Sequence, residues 1–212
     1  MDTDVKGGSR RRRAEATRSR ILRAAHDEFL EAGYHGATVA AIAKRAGVAV
    51  QTVYFVFHTK ADLISAVIDV AVLGEDDPTP PEQTEWWAAM QSAAPATEAL
   101  RHFVRGAAPL YERAAAISDV LRAAALTDPE VRRTHEHHVA LQRGAFRQVI
   151  GILATKGPLR AGLDLDGATD VLLTVFGDAV WHQLRNDCGW PADRVTDWMC
   201  DALPRLVLAS SP

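Results

Sequence analysis

Two stretches of this sequence concentrate the side chains that could bind a ligand or act in chemistry. The first, TVAAIAKRAGVAVQTVYFVFHTK at residues 38–60, sets hydroxyl, amide and ammonium groups among short apolar-patterned segments. The second, HEHH at residues 135–138, brings three imidazoles close together. Both stretches are rich in groups that donate or accept hydrogen bonds, so binding chemistry is the first possibility to examine.

The histidine-rich stretch is the candidate for a metal site. His135 and His138 are three residues apart and share one face of a helix, and His102 or His182 could join them. No cysteine lies near them in the sequence, and Glu136 points to one side. Structural metal sites want a complete ligand set, so a polar helix face or a pocket lining that hydrogen-bonds a ligand is the better interpretation. We predict no metal and no cofactor.

The sequence lacks the common catalytic motifs. It has no G-x-S-x-G turn, no glycine-rich phosphate loop and no H-E-x-x-H zinc motif. We therefore predict that the chain is not an enzyme. It also has no run of about 18 apolar residues and no signal-peptide pattern at its N-terminus, so we predict a cytoplasmic protein that does not enter a membrane.

Charge is divided unevenly along the 212 residues, whose formal net charge is −3. Residues 1–60 hold 11 Lys and Arg against 6 Asp and Glu, whereas residues 61–212 hold 13 against 21. A basic end and an acidic body are typical of a chain whose basic end meets a polyanion. A solvated basic tail would give the same division, so the charges alone leave both interpretations open.

Helical periodicity recurs along most of the chain, which predicts an all-α fold. Residues 1–13 are polar and end in four arginines, so they are predicted to form a disordered basic arm. The acidic, proline-rich segment at 74–85 breaks the pattern and predicts a boundary between one domain at 14–74 and another at 75–212. In the second domain we predict helices over 85–93, 96–107, 109–125, 128–155, 166–186 and 191–208.

The first domain is predicted to hold a long helix and three shorter ones. The long helix runs over about 16–32, and Thr38 and Thr59 are fitting N-caps for the second and fourth helices. The second and third helices, within 38–57, are joined by the turn AGVA, where Gly47 can take a positive φ. This spacing is typical of a helix-turn-helix, whose second helix lies in the DNA major groove, although plain helical hairpins share it.

Residues 17–68 resemble the DNA-binding domain of the TetR (tetracycline-repressor) family of transcriptional regulators. The resemblance covers about a quarter of the chain. It rests on Ile21, Leu22, Ala24, Ala25, Phe29, Gly33, Tyr34, Gly36, Thr38, Val39, Ile42, Ala43, Ala46, Gly47, Val48, Thr52, Val53, Tyr54, Phe57, Lys60 and Leu63.

The resemblance implies DNA contacts by the helix-turn-helix. Thr38 would meet a phosphate through its hydroxyl and the N-terminus of the second helix. Val50 and Gln51 would face base edges, where Gln can pair with adenine and Val can meet a thymine methyl group. Thr52 and Tyr54 would hold phosphates.

Basic residues on either side would add to this contact surface. Lys60 would meet a phosphate as a point charge. Arg12 and Arg13, in the run at 10–13, would reach along the DNA backbone or into the minor groove. Two residues depart from the family pattern: Ala49 replaces a frequent Ser or Thr cap, and Val56 replaces a frequent His or Tyr. Both departures remove polar phosphate contacts, which the arginine run can offset.

For residues 75–212 the resemblance implies a small-molecule site and a dimer interface formed by the last two helices. The segment 168–185 is apolar nearly all round, and one monomer core cannot bury all of it, which favours a dimer. The predicted dimer contacts are Val171, Val175, Phe176, Ala179, Trp198 and Leu203. Aromatic side chains would line an apolar pocket or simply form core. The predicted pocket residues are Phe103, Tyr111, His138, Phe146 and Trp181.

Together these features lead to one hypothesis and two alternatives. The hypothesis is a homodimeric regulator, a repressor, that binds double-stranded DNA at a palindromic operator and responds to a small apolar effector. Its two reading helices would lie about 34–36 Å apart, one DNA turn. One alternative is an α-helical ligand carrier or enzyme whose N-terminal helices only pack, and the other is an architectural DNA binder without an effector.

Overall fold

The computed structural model describes residues 4–74 and 79–209. Over these ranges the chain forms ten α-helices and no strand, and Leu159 and Leu208 make one isolated antiparallel bridge. The predicted all-α fold is confirmed. Within the same ranges no single helix is both long and apolar enough to cross a membrane.

The first helix, α1, spans Asp4–Gly36 and is longer than the predicted 16–32. Residues 4–13 are helical, so the predicted disordered arm is wrong there, and residues 1–3 lie outside the described residues. Extending an existing helix fixes one residue for each new hydrogen bond, so a packed segment allows the helix to grow into polar sequence. The buried side chains of Ile21, Ala25 and Phe29 provide that packed segment. Gly33, with φ 67°, kinks the helix near its end.

Helices α2 (Val39–Ala46) and α3 (Val50–Phe57) form the predicted pair, with an angle of 105° between them. The hydroxyl of Thr38 accepts a hydrogen bond from the amide of Ala41 at 3.1 Å, as expected of an N-cap. Gly47 ends α2 in the left-handed conformation, with φ 66° and ψ 40°. Ala49 precedes α3 and its side chain makes no cap bond. The helix-turn-helix predicted for 38–57 is therefore present as geometry.

Two residues, His58 and Thr59, separate the end of α3 from the start of helix α4 (Lys60–Leu73). The hydroxyl of Thr59 accepts from the amide of Asp62 at 3.0 Å, and the carboxylate of Asp62 accepts from the amide of Thr59 at 3.2 Å. This reciprocal capping box fixes the direction in which α4 leaves α3. The position of α3 is thus tied to the start of α4.

Six further helices and two short turns make up the rest of the described chain. They are a 3-10 turn at Pro81–Gln83, α5 (Glu85–Ser92), α6 (Ala96–Ala124), α7 (Pro129–Ala154), α8 (Leu165–Val175), α9 (Asp178–His182), a π turn at Gln183–Asp187 and α10 (Ala192–Val207).

Two predicted helices, at 96–107 and 109–125, are in fact the single helix α6. Pro109 lies inside it and lacks the N–H that would bond the carbonyl of Arg105. Pro109 and Arg105 are both exposed, so water can satisfy that carbonyl. Pro109 therefore does not end the helix.

At 166–186 the prediction of one continuous helix is wrong, because the structure has two helices, α8 and α9, in this segment. Helix α8 ends at Val175, and Gly177 is the N-cap of α9. A Cβ added to Gly177 would lie 2.5 Å from the carbonyl oxygen of Leu173, so only glycine fits this break. The break turns the first residue of α9, Asp178, toward the interior cavity described below.

Buried apolar side chains form two clusters that share α6. One cluster joins α1–α4 to Ile117, Leu121 and Val131 of α6 and α7. The other lies among α5–α10. The predicted boundary at 74/75 therefore divides the chain in sequence but does not divide its packing.

Candidate nucleic-acid interface and internal cavity

One face of α3 is buried and the other is open to solvent. Val53 and Phe57 are 2% and 4% exposed. On the open face Gln51 is exposed, Tyr54 is 49% exposed and Phe55 is 84% exposed. Adjacent large aromatics at such exposure are a common mark of a contact surface. The face offers an amide, a phenol and a flat apolar ring to a partner.

Phe55 was not among the predicted contact residues. A helical wheel carries the signal, because Val53 and Phe57 on the inner side leave Phe55 beside Gln51 on the outer side. By contrast, the predicted contacts Val50 and Thr52 are only half-exposed. Val50 packs partly against the N-terminal cluster.

Thr38 stands at the exposed N-terminus of α2. Its side chain caps one amide of the first turn, and the other first-turn amides have no partner within the helix. Such helix ends attract anions, because the free N–H groups and the helix dipole both favour negative charge. The geometry at Thr38 suits the phosphate contact that was predicted for it.

Lys60 makes internal contacts that the sequence did not indicate. Its Nζ donates to the carbonyl of Tyr34 at 2.8 Å and to the carbonyl of Ala37 at 3.2 Å. The same Nζ lies 4.2 Å from the centre of the Tyr34 ring. Burial lowers the pKa of Lys60, and the negative charge of Asp128 acts in the opposite direction. The ammonium group thus holds the α1–α2 connection to α4, whereas only a phosphate contact was predicted.

Arg18 of α1 contacts the buried face of α3. The guanidinium of Arg18 lies 4.6 Å from the centre of the Phe57 ring, at the end of α3. Arg12 and Arg13 are exposed and stand on a helix, so the extended arm that was predicted for them is absent.

Arg45, on α2, is engaged with α1. Its Nε donates to Glu28 at 3.0 Å and its Nη1 donates to Glu31 at 2.9 Å. The hydrogen bond from Arg45 lowers the pKa of Glu31. This network holds α2 against α1.

A cavity of about 410 Å³ lies between α4, α5, α6, α7 and α9. Four of the predicted pocket residues line it: Phe103, Tyr111, His138 and Phe146. Further walls come from Trp86, Trp87, Leu110 and Gln142. Trp86 packs against α6 at Gly106. A Cβ at position 106 would lie 2.3 Å from the Trp86 ring, so this contact requires glycine.

Trp181 is the predicted pocket residue that does not line this cavity. Its indole Nε1 donates to the carboxylate of Glu112 at 3.3 Å, and Arg185 also donates to Glu112 at 2.6 Å. These bonds turn its polar edge toward a separate groove between α6 and α10. The other side of the ring packs on Tyr111 and Phe176.

The cavity contains a carboxyl group in an unusual state. Burial raises the pKa of Asp178 from its ordinary 3.8 to about 6, and a hydrogen bond from Ser118 acts against this rise. Burial also raises the pKa of Tyr111 well above its usual range, with a smaller contribution from the charge of Asp178. The Tyr111 hydroxyl accepts a hydrogen bond from Gln142 at 2.8 Å. Asp178 was not predicted, because the sequence indicated an uninterrupted helix at that point.

The HEHH stretch forms part of the cavity wall. His135 and His138 line it, and burial lowers the pKa of both imidazoles. A ring nitrogen of His138 lies 3.0 Å from the hydroxyl of Ser65 on α4. Over residues 4–74 and 79–209 no three His, Cys, Asp or Glu side chains are grouped to hold a metal ion. Between the two interpretations left open, the pocket lining accounts for His135 and His138, and His137 is exposed.

The predicted dimer residues divide by burial. Phe176 and Leu203 are 1% and 0% exposed, so the interface role predicted for them is wrong and they belong to the core. The Phe176 ring packs on Phe103 and Tyr111 of α6, and Leu203 belongs to the same buried cluster. Trp198 is 39% exposed, and Val171, Val175 and Ala179 keep part of their surface. An interface on α8, α9 and α10 remains a prediction that rests on these four side chains.

Residues 21–67, from the middle of α1 into α4, match the family model described as bacterial regulatory proteins, tetR family. The N-terminal region of this chain is therefore similar to the tetR family. The matched residues include every helix of the helix-turn-helix and the start of α4.

A curated relative supports the same N-terminal assignment. A segment of 55 residues is 44% identical to the HTH-type transcriptional regulator UidR of Escherichia coli K12, which is 26% of this chain and 28% of UidR. The match therefore spans little more than a quarter of that relative.

Solved structures resemble nearly the whole chain in fold. NalD, the secondary repressor of the MexAB-OprM multidrug efflux pump in Pseudomonas aeruginosa, is 23% identical with a TM-score of 0.69, over 93% of this chain and 100% of NalD. A regulator from Saccharomonospora viridis in complex with choline is 19% identical with a TM-score of 0.66, over 91% and 98%. FadR from Bacillus subtilis in complex with stearoyl-CoA is 19% identical with a TM-score of 0.64, over 87% and 96%. At these identities the likeness shows a shared fold and nothing more.

Proposed function

We propose that this chain is a transcriptional regulator of the tetR family that binds double-stranded DNA as a homodimer, in the cytoplasm, and acts as a repressor. In this proposal α3 enters the major groove of each half of a palindromic operator, and a small molecule in the cavity sets the affinity for DNA. The chain acts by binding alone, without a cofactor or a metal and without catalysis.

The open face of α3 is the observation that carries the proposal. Gln51 can donate to and accept from an adenine edge, and the exposed ring of Phe55 can meet a thymine methyl group. Tyr54 and the N-terminus of α2 at Thr38 can hold phosphates on either side. A helix that only packed would not leave two adjacent aromatic rings in water.

Helix α4 supports the proposed link between cavity and DNA. Only two residues separate it from α3, and its other end lines the cavity with Ile68, Asp69, Val72 and Leu73. A ligand that favours one position of α4 would therefore favour one position of α3. Ligand and DNA would then alter each other's affinity by the same factor.

The solved structures are consistent with this division of labour. NalD is described as a repressor, and two neighbours are in complex with choline and with stearoyl-CoA. Ligands so different in one fold indicate that the cavity lining, and not the fold, selects the effector.

A gel-shift titration tests the proposal. The full-length chain and DNA from the region upstream of its own gene should give a specific complex at moderate salt. Gln51→Ala and Phe55→Ala should each weaken it by about tenfold, since one good base contact is worth about 1–3 kcal/mol. Gln148→Ala is the matched control, because Gln148 is also an exposed helical glutamine, on α7.

The outcomes separate the proposal from its alternatives. If the native chain gives no specific complex, or if both α3 variants bind like the Gln148→Ala control, the N-terminal helices only pack and the proposal fails. If DNA binds specifically and no small molecule in a thermal-shift screen alters the complex, the chain is an architectural DNA binder.

A further inference from the structure

We propose that the cavity takes an amphipathic organic cation, in which an amine or a quaternary ammonium group is carried on an apolar or aromatic body, and that Asp178 is its counter-ion. This inference rests on the proposed function, because it names the chemical class of the effector for the same cavity.

The charges of the cavity lining carry the inference. The described lining residues include one Arg or Lys side chain, Arg122. They include four carboxylates, from Asp69, Glu82, Asp119 and Asp178. Arg122 donates to Asp119, so these two charges offset each other. Asp69 and Glu82 stand on α4 and on the turn before α5, while Asp178 stands on α9. Negative charge thus approaches the cavity from three elements.

The imidazoles do not neutralise this charge. Burial lowers the pKa of His135 and His138, so both are neutral near pH 7. His138 is also within hydrogen-bond distance of Ser65. Tyr111 stays protonated as well, because burial raises the pKa of its phenol. The cavity at neutral pH therefore presents carboxylate charge and no free cation among its described lining residues.

The remaining walls suit the rest of such a ligand. Trp86, Phe103, Tyr111 and Phe146 offer ring faces, and an organic cation is attracted to these faces as well as to a carboxylate. Leu110, Val72 and Ile68 offer apolar surface for a hydrocarbon body. The volume of about 410 Å³ falls in the usual range for cavities that bind small molecules.

Asp178 is the group that a cation would satisfy best. Water alone leaves its charge poorly solvated, which is why burial raises its pKa. A bound cation would replace the missing solvation, whereas an anionic ligand would add like charge. The break at Gly177 serves this arrangement, since it directs the first residue of α9 into the cavity.

Three ligands with one skeleton and different charge test the inference: 4-phenylbutylamine, 4-phenylbutan-1-ol and 4-phenylbutanoate. Calorimetric titration of the full-length chain at pH 7.5 should show the amine binding at least about tenfold more tightly than the alcohol, and the carboxylate most weakly. In Asp178→Asn the advantage of the amine should disappear while affinity for the alcohol stays within about twofold. Asp178→Glu should keep the order of the three ligands.

Asp201→Asn is the matched control, because it removes the same charge from an exposed position on α10 and should leave the order unchanged. Circular dichroism of each variant verifies that it is folded. The inference is overturned if the native chain shows no preference for the amine, if millimolar amine does not bind, or if the preference survives in Asp178→Asn.

The titration needs no DNA, so its failure differs from failure of the proposed function. A chain that shifts its operator but does not prefer the amine is a regulator with another class of effector. A chain that prefers the amine through Asp178 but binds no DNA has the proposed site without the proposed function.

Discussion

Lys60 shows how one side chain can hold the start of α4 to the connection between α1 and α2. Its ammonium group bonds the carbonyls of Tyr34 and Ala37, just before the N-cap of α2. These carbonyls close the kinked end of α1, so Lys60 fixes the segment that presents Thr38. A phosphate contact by the same ammonium would compete with these two bonds.

We expect Lys60→Met to destabilise the fold, because it removes two charge-assisted hydrogen bonds and leaves their acceptors unpaired. The free energy of unfolding from urea titration should fall by about 1–3 kcal/mol. Lys44→Met is the control, since Lys44 is exposed on α2. Equal stability of the two variants would mean that Lys60 acts only toward DNA.

Asp178 makes stability depend on pH in an unusual direction. Its pKa is about 6 in the folded chain and about 3.8 when unfolded, so the folded chain holds the proton more tightly. The resulting stabilisation is full below pH 3.8 and is lost as the pH rises through about 6.

We therefore expect Asp178→Asn to be more stable than the native chain at pH 8, by about 1–3 kcal/mol, and to lose that advantage toward pH 4. Urea titrations at the two pH values measure the difference. Asp201→Asn, which changes an exposed carboxylate, should show little of this dependence. An advantage that is constant with pH would assign the effect to packing and not to ionisation.

At the scale of elements, local chemistry decided which boundaries could be predicted. Thr38, Gly47 and Thr59 each act on the backbone within three residues, and each does what its side chain predicts. The start of α1, the passage through Pro109 and the break at Gly177 depend instead on distant packing or on solvent. No local pattern carries that information, so these three were predicted wrongly.

The candidate site divides in the same way. Thr38, Gln51 and Tyr54 could be placed from the helix-turn-helix pattern, and Phe103, Tyr111 and Phe146 from their aromatic character. Asp178 could not, because its position in the cavity follows from the break before it. The hydrogen bonds of Lys60 to backbone carbonyls could not be predicted either, because those carbonyls are 23 and 26 residues away in the sequence.

The break at Gly177 gives a prediction with an internal control. Gly177→Ala places a methyl group against the Leu173 carbonyl, so it should destabilise the fold by about 1–3 kcal/mol and disturb the cavity wall at α9. Gly144→Ala has nothing within 4 Å of the new methyl group and lies inside α7. It should stabilise the chain by about 0.5–1 kcal/mol. Thermal unfolding of both variants measures the contrast, and a neutral Gly177→Ala would show that the break tolerates a side chain.

At the scale of the whole molecule, α6 joins the two apolar clusters. Its C-terminal part, with Ile117 and Leu121, belongs to the N-terminal cluster, and its earlier turns belong to the cavity region. The hydrogen bonds His35–Thr127 and Ser65–His138 add two polar connections, each at 3.0 Å. Helices α1–α4 therefore share their apolar cluster with α6 and α7.

We expect the chain to unfold in one cooperative transition. Loss of the contacts to α6 would expose apolar surface on both sides at once, so neither cluster should survive alone. Far-ultraviolet dichroism and tryptophan fluorescence should report the same urea midpoint. The tryptophans lie in the second domain, at 86, 87, 181, 190 and 198, so separate midpoints would reveal an independent N-terminal unit.

Because α1 is helical, its arginine run should contribute less to the salt dependence of the proposed DNA binding than an extended arm would. Consecutive residues of a helix turn by about 100°, so Arg11, Arg12 and Arg13 together spread over about 200° of the helix surface. One DNA backbone can meet only part of that arc, and fewer condensed counterions are then released than three adjacent charges suggest. Replacing all three by Ala should reduce the slope of log affinity against log salt by about 1, where an extended arm would lose nearly 3. The three consecutive arginines would thus contribute about as much to the salt dependence of DNA binding as a single phosphate contact.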